Sequence, residues 1–335
     1  MGNILNVLST AYHQLTFHAQ ALPASIQLSG QTALVTGSNT GLGLAAASEL
    51  AQHGLARLIL GVRDATKGSE AAAAIRRAAP ACDVQVWELD QASWASTTAF
   101  ARRARADLDR LDYVLLNAGL KRLQWSTTPP PTEHEAHVQV NYLTTAALSL
   151  LLLEPLRETA ARTGRPGRMT FTSSSVAFWA PVADLRRRPE EEGGMLGWLD
   201  NPASFVPGES RYCLSKLLGL LWMRELAARV DGAEVVINAL NPGFCKSEFH
   251  RVDPRADWQS EWLAFTTAEG GYHLTDAVVR HPGSHGAYLS EQKIRPVSKF
   301  MISAEGQEAQ KKLWKETLEV FQKECPDANL DEFRK

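Results

Sequence analysis

Tyr212 and Lys216 place a phenol and an ammonium four residues apart in the run 210–226, which is mostly good helix formers with one glycine and no proline. Residues i and i+4 of a helix share a face, so Lys216 is expected to stand over the Tyr212 ring. An ordinary tyrosine, with a pKa of about 10, is a poor acid or base at neutral pH. A unit positive charge about 4 Å away, at an effective dielectric near 20, is worth about 4 kcal/mol, or about three pK units. The pairing predicts a phenol that titrates near neutrality, where a general acid/base works best. Tyr-x-x-x-Lys is also common on ordinary solvated helix faces, so its surroundings must decide.

Those surroundings alternate. Residues 32–36, 57–62, 84–89, 113–116, 169–172 and 235–239 are apolar runs of strand length, with a short further run at 286–289. Helical patterns lie between them, near 42–53, 66–79, 92–107, 132–161 and 210–230. The alternation predicts an α/β fold, a parallel sheet covered by helices on both faces. No repeat, low-complexity block or proline-rich linker divides the chain, so 29–335 is expected as a single domain. Residues 1–28 form an extension in which Ile4, Leu5, Val7, Leu8, Tyr12 and Leu15 have helix-like spacing. Two stretches break the alternation. Residues 182–209 are polar and turn-rich around 186–194 and are expected as a surface insertion. Residues 246–285 hold Phe249, Trp258, Trp262, Phe265 and Tyr272 without strand periodicity and are expected as a lid beside the Tyr212 helix. Residues 304–324 form an amphipathic helix that ends before Pro326.

Composition narrows the partners. Hydrophobic content of 44% and charged content of 21% are those of a soluble globular protein. A net charge of -2 with no basic face argues against a nucleic-acid partner. The four cysteines, Cys82, Cys213, Cys245 and Cys325, have neither zinc-site spacing nor the density of a disulfide scaffold, which points to a reducing, cytoplasmic setting. Cys213 and Cys245 are read as packing residues. The apolar run 148–153 is far too short to cross a membrane, and the start of the chain lacks a secretory signal. Gly2 offers a myristoylation acceptor, although Asn6 stands where that signal prefers Ser or Thr; membrane-surface association is the alternative to an extension helix packed on the domain. His134 and His137 have no further ligand at a suitable spacing and are expected on a solvated helix face, with no metal site.

Directly after the first strand run comes Thr36-Gly37-Ser38-Asn39-Thr40-Gly41-Leu42-Gly43, which opens a helix. Glycines allow a tight turn and close backbone approach, and the helix N-terminus presents unpaired N–H groups to a pyrophosphate. Strand before and helix after make this the phosphate-binding turn of a doubly wound, Rossmann-type sheet. At the end of the second run, where an acid would take the ribose 2′-hydroxyl of NAD, stand Gly61-Val62-Arg63-Asp64. A cation accommodates a 2′-phosphate, so Arg63 with Lys67 predicts NADP(H); Asp64 is the opposing signal.

Taken in order, the glycine turn 36–43, Asp90, Asn117-Ala118-Gly119, Asn141, Ser173-Ser174-Ser175, Tyr212-x-x-x-Lys216 and Asn241-Pro242-Gly243 make the chain resemble the short-chain dehydrogenase/reductases over roughly residues 30–250. Within them it looks most like the retinol-dehydrogenase-like reductases of fungal natural-product pathways, a likeness that extends to Ser284-His285-Gly286 and the C-terminal helix. The resemblance implies that Asp90 holds the adenine and that Asn117, Ala118 and Gly119 line the cofactor. It implies that Asn141 holds a water linking Lys216 to solvent, that Lys216 also contacts the nicotinamide ribose, and that Pro242 and Gly243 shape the nicotinamide pocket. Ser247 stands where the family usually has Thr. The family's Ser-Ser-x-Ala pattern, laid on Ser174-Ser175-Val176-Ala177, selects Ser175 as the catalytic serine, with Ser174 as the alternative. Neighbours on a strand face opposite ways, so only one of the two can point at substrate.

The implied reaction is reversible hydride transfer between NADP(H) and a carbonyl, with the serine hydrogen-bonding the alkoxide and Tyr212 handling the proton. Phe178, Trp179, Trp198, Phe205, Phe244 and the aromatics from 258 to 272 suggest an apolar pocket for a lipophilic ketone, aldehyde or alcohol. A polyketide- or terpenoid-like natural-product intermediate is the analogy from relatives. Such relatives often form homo-oligomers through the helices that contain Asn141 and Tyr212, faces that the N-terminal extension or C-terminal region would block here. Two other readings stay open. One is a dinucleotide-sensing regulatory protein, against which the joint presence of Ser, Tyr, Lys and Asn weighs. The other is an NADPH-dependent reductase of a carbon–carbon double bond, which product analysis separates.

Overall fold

The computed structural model describes residues 14–186, 193–247, 249, 263–325 and 330–333. The amphipathic stretch before Gln14, with Gly2, and Trp258 and Trp262 lie outside the described residues. Strands β1 (Thr32–Thr36), β2 (Arg57–Val62), β3 (Asp83–Glu88), β4 (Tyr113–Leu116), β5 (Gly167–Thr172), β6 (Val235–Asn241), β7 (Tyr288–Ser290) and β8 (Lys293–Arg295) form one eight-stranded sheet in the order β3-β2-β1-β4-β5-β6-β7-β8. Every neighbouring pair is parallel except β7 with β8. All residues of β1, β4 and β6 are buried, which is why these strands read as continuous apolar runs rather than alternating ones. Strand order reverses between β1 and β4, and this switch point is where such sheets open a crevice for ligands.

Helices α1 (Gly41–Gln52), α2 (Ala65–Ala78), α3 (Trp94–Asp107), α4 (Thr144–Leu151), α5 (Leu153–Thr163), α6 (Val182–Arg186), α7 (Gly194–Leu199), α8 (Ser210–Ala227), α9 (Thr267–Val279), α10 (Lys299–Ile302) and α11 (Ala304–Glu324) complete the described elements, with short 3-10 turns between them. Two clusters of buried apolar residues lie on the sheet's faces. One takes side chains from α1, α2 and α9; the other takes them from α3, α4, α5, α7, α8 and α11. The long helix expected over 132–161 is broken: a π-helical turn, Val138–Leu143, precedes α4, and α5 follows separately.

The structure corrects part of the expected lid, residues 267–279. Thr267–Val279 is a sheet-covering helix with Leu274, Ala277 and Val278 buried in the core. Gly270 and Gly271 allow it to cross α1 closely: a Cβ on Gly271 would stand 2.7 Å from the Ala45 Cβ. Its start is a capping box between Thr266 and Glu269. The insertion is likewise more than surface, because Met195, Leu196 and Leu199 of α7 enter the core and Leu199 O accepts a 2.7 Å hydrogen bond from the buried Arg211.

Candidate active site

The glycine turn folds as its sequence requires. Gly37 (φ 65°) and Gly41 (φ 59°) are left-handed. A Cβ on Gly43 would lie 2.4 Å from the Gly37 carbonyl oxygen and 2.5 Å from Asn117 Nδ2. Thr40 enters α1 in an extended conformation and its side chain makes no cap hydrogen bond. Asn39, Gly41 and Leu42 are half-buried at the crevice mouth, whereas Ser38 is fully buried and donates to Val35 O at 2.8 Å, so its part is structural. Asn117 Nδ2 donates to Thr36 O (3.0 Å) and Gly37 O (3.3 Å), and Asn117 N and Ala118 N donate to Thr36 Oγ1. The turns after β1 and β4 thereby form one cradle, which side chains at its glycines would fill. These residues fit a dinucleotide pyrophosphate.

Arg63 and Lys67 are exposed at the end of β2, beside that cradle through the 2.8 Å hydrogen bond from Gly37 N to Gly61 O. Asp64 is engaged elsewhere: it is the N-cap of α2, and Oδ1 accepts from Lys67 N at 3.0 Å. Asp90, just past β3, accepts from Ala92 N at 3.0 Å and is half-buried.

Tyr212 and Lys216 lie on one face of α8, with Nζ 5.9 Å from the phenol ring centroid. The ammonium donates to Thr172 O at 2.8 Å. Burial pulls the Lys216 pKa down to about 8. Burial also holds the Tyr212 phenol well above its ordinary value, further raised by Cys213 and Glu209 and opposed by a hydrogen bond with Ser174. The expectation of a phenol brought near neutrality by Lys216 is therefore corrected. Desolvation dominates, because the Phe249 ring (5.4 Å between centroids) and the His137 ring (6.5 Å) crowd Tyr212.

Of the two candidate serines, Ser174 is the one whose side chain acts on the Tyr212 phenol, lowering its pKa. Strand β5 ends at Thr172, and Ser174 caps a 3-10 turn that begins at Ser175. The strand alternation used to choose Ser175 does not reach these residues, and Ser175 instead donates its N–H to Asn241 Oδ1 at 3.0 Å.

Asn141 sits in the π-helical turn, where Oδ1 accepts from Leu120 N (2.7 Å) and Nδ2 donates to Leu120 O (2.9 Å) and Ser215 Oγ (3.0 Å). A Cβ on Gly119 would stand 3.2 Å from Asn141 Oδ1 and 3.6 Å from Lys216 Nζ. Between Asn141 and Lys216 lies a cavity of about 20 Å³ lined also by Thr172 and Ser173, whose buried hydroxyls have no protein partner. It has room for about one water among groups able to bind it. Pro242 is buried, and Gly243 (φ 78°) donates to Asn241 Oδ1 at 3.2 Å. Ser247 approaches the glycine turn, its Cβ 3.7 Å from a Cβ built on Gly41.

Sequence reasoning missed other residues. His134 and His137 are not on a solvated face: His134 is bonded to Asp200 and Glu324, and His137 is fully buried against Glu135 at 2.8 Å, with Nε2 accepting from Arg122 N. Among the described residues no group of His, Cys, Asp and Glu could hold a metal. Burial pushes the Cys213 and Cys245 thiols up to about 12, as packing residues require. Of the expected pocket aromatics, Phe178 packs on Tyr288 (5.0 Å), Phe205 lies under Arg211 (5.7 Å) and Phe265 pairs with Phe17 (6.4 Å). Phe249, which is not among them, is in ring contact with Tyr212.

A parallel sheet whose glycine cradle at the switch point lies near a buried Tyr–Lys pair, with half-buried Ser174 acting on the phenol, fits a dinucleotide-dependent oxidoreductase. The chain belongs to the short chain dehydrogenase family, whose model matches residues 31–183. It is 51% identical to the short chain dehydrogenase sol3 of Alternaria solani over 296 residues, 88% of this chain and 99% of that protein. It is 35% identical to the short chain dehydrogenase/reductase mfmJ of Annulohypoxylon moriforme, over 92% of this chain and 90% of that one. Among solved structures, the Pseudomonas aeruginosa RhlG/NADP active-site complex superposes with a TM-score of 0.62 at 22% identity, covering 80% of this chain and 97% of that chain.

Proposed function

We propose that the protein is an NADP(H)-dependent oxidoreductase that interconverts a carbonyl and an alcohol on a lipophilic small molecule of polyketide- or terpenoid-like type, with 29–335 acting as one catalytic unit in the cytoplasm. The observation that carries this reading is the buried Tyr212 with Lys216 on the same helix face, and Ser174 is the serine whose side chain acts on the phenol. NADPH supplies the hydride when bound. Ser174 Oγ orients the substrate oxygen and stabilises its developing charge, and Tyr212 Oη delivers the proton. The lowered Lys216 pKa makes its ammonium a ready proton donor, and the Asn141 cavity has room beside it for a water that could resupply the proton. Arg63 and Lys67 favour the 2′-phosphate, and the engagement of Asp64 in capping α2 removes the opposing signal. The NADP in the RhlG complex supports the same choice. The fungal sources of sol3 and mfmJ support the substrate class. Among the described residues no helix is long and apolar enough to cross a membrane.

The test is titration with NADPH and NADH, followed by turnover of a panel of lipophilic carbonyls with identification of the carbinol. Tyr212→Phe should abolish turnover and leave NADPH binding intact. Ser174→Ala should lower kcat about 10²–10³-fold, whereas Ser175→Ala should change it less than about fivefold. A wild-type protein that binds NADPH tightly but turns over no carbonyl would sink the catalytic reading, and an equal effect of the two serine variants would sink the register.

A further inference from the structure

The loop after β6 joins the two halves of the site. At its start, Asn241 Oδ1 accepts from Ser175 N (3.0 Å) and Gly243 N (3.2 Å), which ties it to the serine turn. Towards its end, Cys245 Sγ stands 2.9 Å from a Cβ built on Gly270, and Ser247 meets Gly41 at the glycine turn. Any dinucleotide that reaches from the α1 N-terminus to the Ser174–Tyr212 pair must run along this loop.

The middle of the loop is held from outside the sheet. Gln14 Nε2 donates to Phe244 O at 2.7 Å, and Phe244 N donates to Gln14 Oε1 at 3.0 Å. One side-chain amide therefore supplies the acceptor for Phe244 N–H and a second donor to the Phe244 carbonyl, which also accepts from Phe265 N at 2.9 Å. Gln14 Oε1 also lies 3.1 Å from a Cβ built on Gly243, within the left-handed turn itself. The segment that carries Gln14 is anchored independently: the Phe17 ring packs on Phe265 (6.4 Å) and His273 (5.5 Å), and Leu22 N donates to Glu49 Oε1 of α1 at 2.7 Å.

We propose that Gln14 is a positioning residue, a clamp from the N-terminal extension that fixes the 242–247 loop in the conformation that receives the nicotinamide end of the dinucleotide. This rests on the dinucleotide-binding reading above. Without the clamp, the Phe244 N–H loses its acceptor and the carbonyl keeps only Phe265 N, so the 242–244 end of the loop must be ordered at the moment of binding, which weakens affinity.

Gln14→Met keeps the length of the side chain and removes both hydrogen-bonding ends. Calorimetric titration should show the Kd for NADPH raised about tenfold. The Kd for 2′-phospho-ADP-ribose, which lacks the nicotinamide, should change less than about twofold, and the nucleotide-free melting temperature should hold because the Phe17 and Leu22 anchors remain. Gln14→Ala, which removes the amide without placing any group against Phe244, gives the same selective loss and serves if the methionine variant folds poorly. An unchanged NADPH affinity in both variants, or equal weakening of the two ligands, overturns the clamp. A wild-type protein that binds neither ligand overturns the dinucleotide reading itself.

Discussion

Lys216 carries a buried ammonium that donates to the Thr172 backbone carbonyl, and burying that charge is costly. Burial lowers its pKa to about 8, from the 10.5 of a free lysine. The sign of the linkage follows. Below pH 8 the folded chain bears the full cost of the buried charge; between 8 and 10.5 the unfolded chain holds a proton that the folded one has shed, so stability rises with pH through that window. Lys216→Met should accordingly stabilise the nucleotide-free protein at pH 7, by about 2 kcal/mol after the loss of the bond to Thr172 is set against the relieved charge. The advantage should shrink as the pH approaches 10. Denaturant unfolding at pH 7, 8.5 and 10 measures it, and a pH-independent difference would show that the ammonium is solvated. The Tyr212–Lys216 spacing was legible in the sequence because a helix fixes which residues share a face. The direction of the phenol's shift was not, since Phe249, His137 and Ser174 reach Tyr212 from distant parts of the chain. Strand alternation does not reach the serines either: the chain leaves β5 at Thr172 and turns at Ser174.

The junction between β2 and α2 separates two adjacent charges by their partners. Asp64 accepts from Lys67 N and starts the helix, whereas Arg63 projects exposed beside the glycine cradle. Asp64→Ala should cost about 1 kcal/mol of stability and leave the preference for NADPH over NADH unchanged. Arg63→Ala should leave stability unchanged and reduce that preference about tenfold or more. Paired melting curves and nucleotide titrations distinguish the roles, and a nucleotide switch caused by Asp64→Ala would reverse them. At this scale the parallel strands were legible because both their faces are buried and their apolar runs are continuous. The helix Thr267–Val279 was not. Its paired glycines look like helix breakers until α1 is seen to press against them, and the Thr266-x-x-Glu269 capping box was the sequence signal that could have located it. β8 is three residues long and mostly exposed, too short for any period to register.

Helix α11 closes the molecule over the helices that flank the site. Trp314 stacks on Trp222 (4.3 Å), Thr317 bonds the Tyr142 hydroxyl (2.6 Å), and Phe321 meets Trp94 edge-on (5.9 Å). It thus covers part of the surface near Asn141 and on α8 through which the family resemblance implied assembly. Its carboxylates also hold α7 at both ends. Glu316 accepts from Leu196 N (3.0 Å) at the start, and Glu324 bonds His134 Nε2 (3.1 Å), whose Nδ1 bonds Asp200 (2.6 Å) just past the end. Glu324 also accepts from Trp94 Nε1 and lies 3.9 Å from Lys323 Nζ, while the second Asp200 oxygen accepts from Glu135 N. Burial opposes a charge on His134, but Asp200 and Glu324 together outweigh it and hold its pKa above the ordinary value. A raised folded value means that the stabilisation is fully present below about 6.5 and is lost as pH rises through the raised value. His134→Gln should therefore melt several degrees below wild type at pH 6, with the deficit narrowing at pH 8.5. Melting curves at the two pH values read the difference directly. A deficit that stays constant would make the latch a neutral hydrogen bond rather than an ion triad, and α7 would then be held equally at every pH at which the enzyme works.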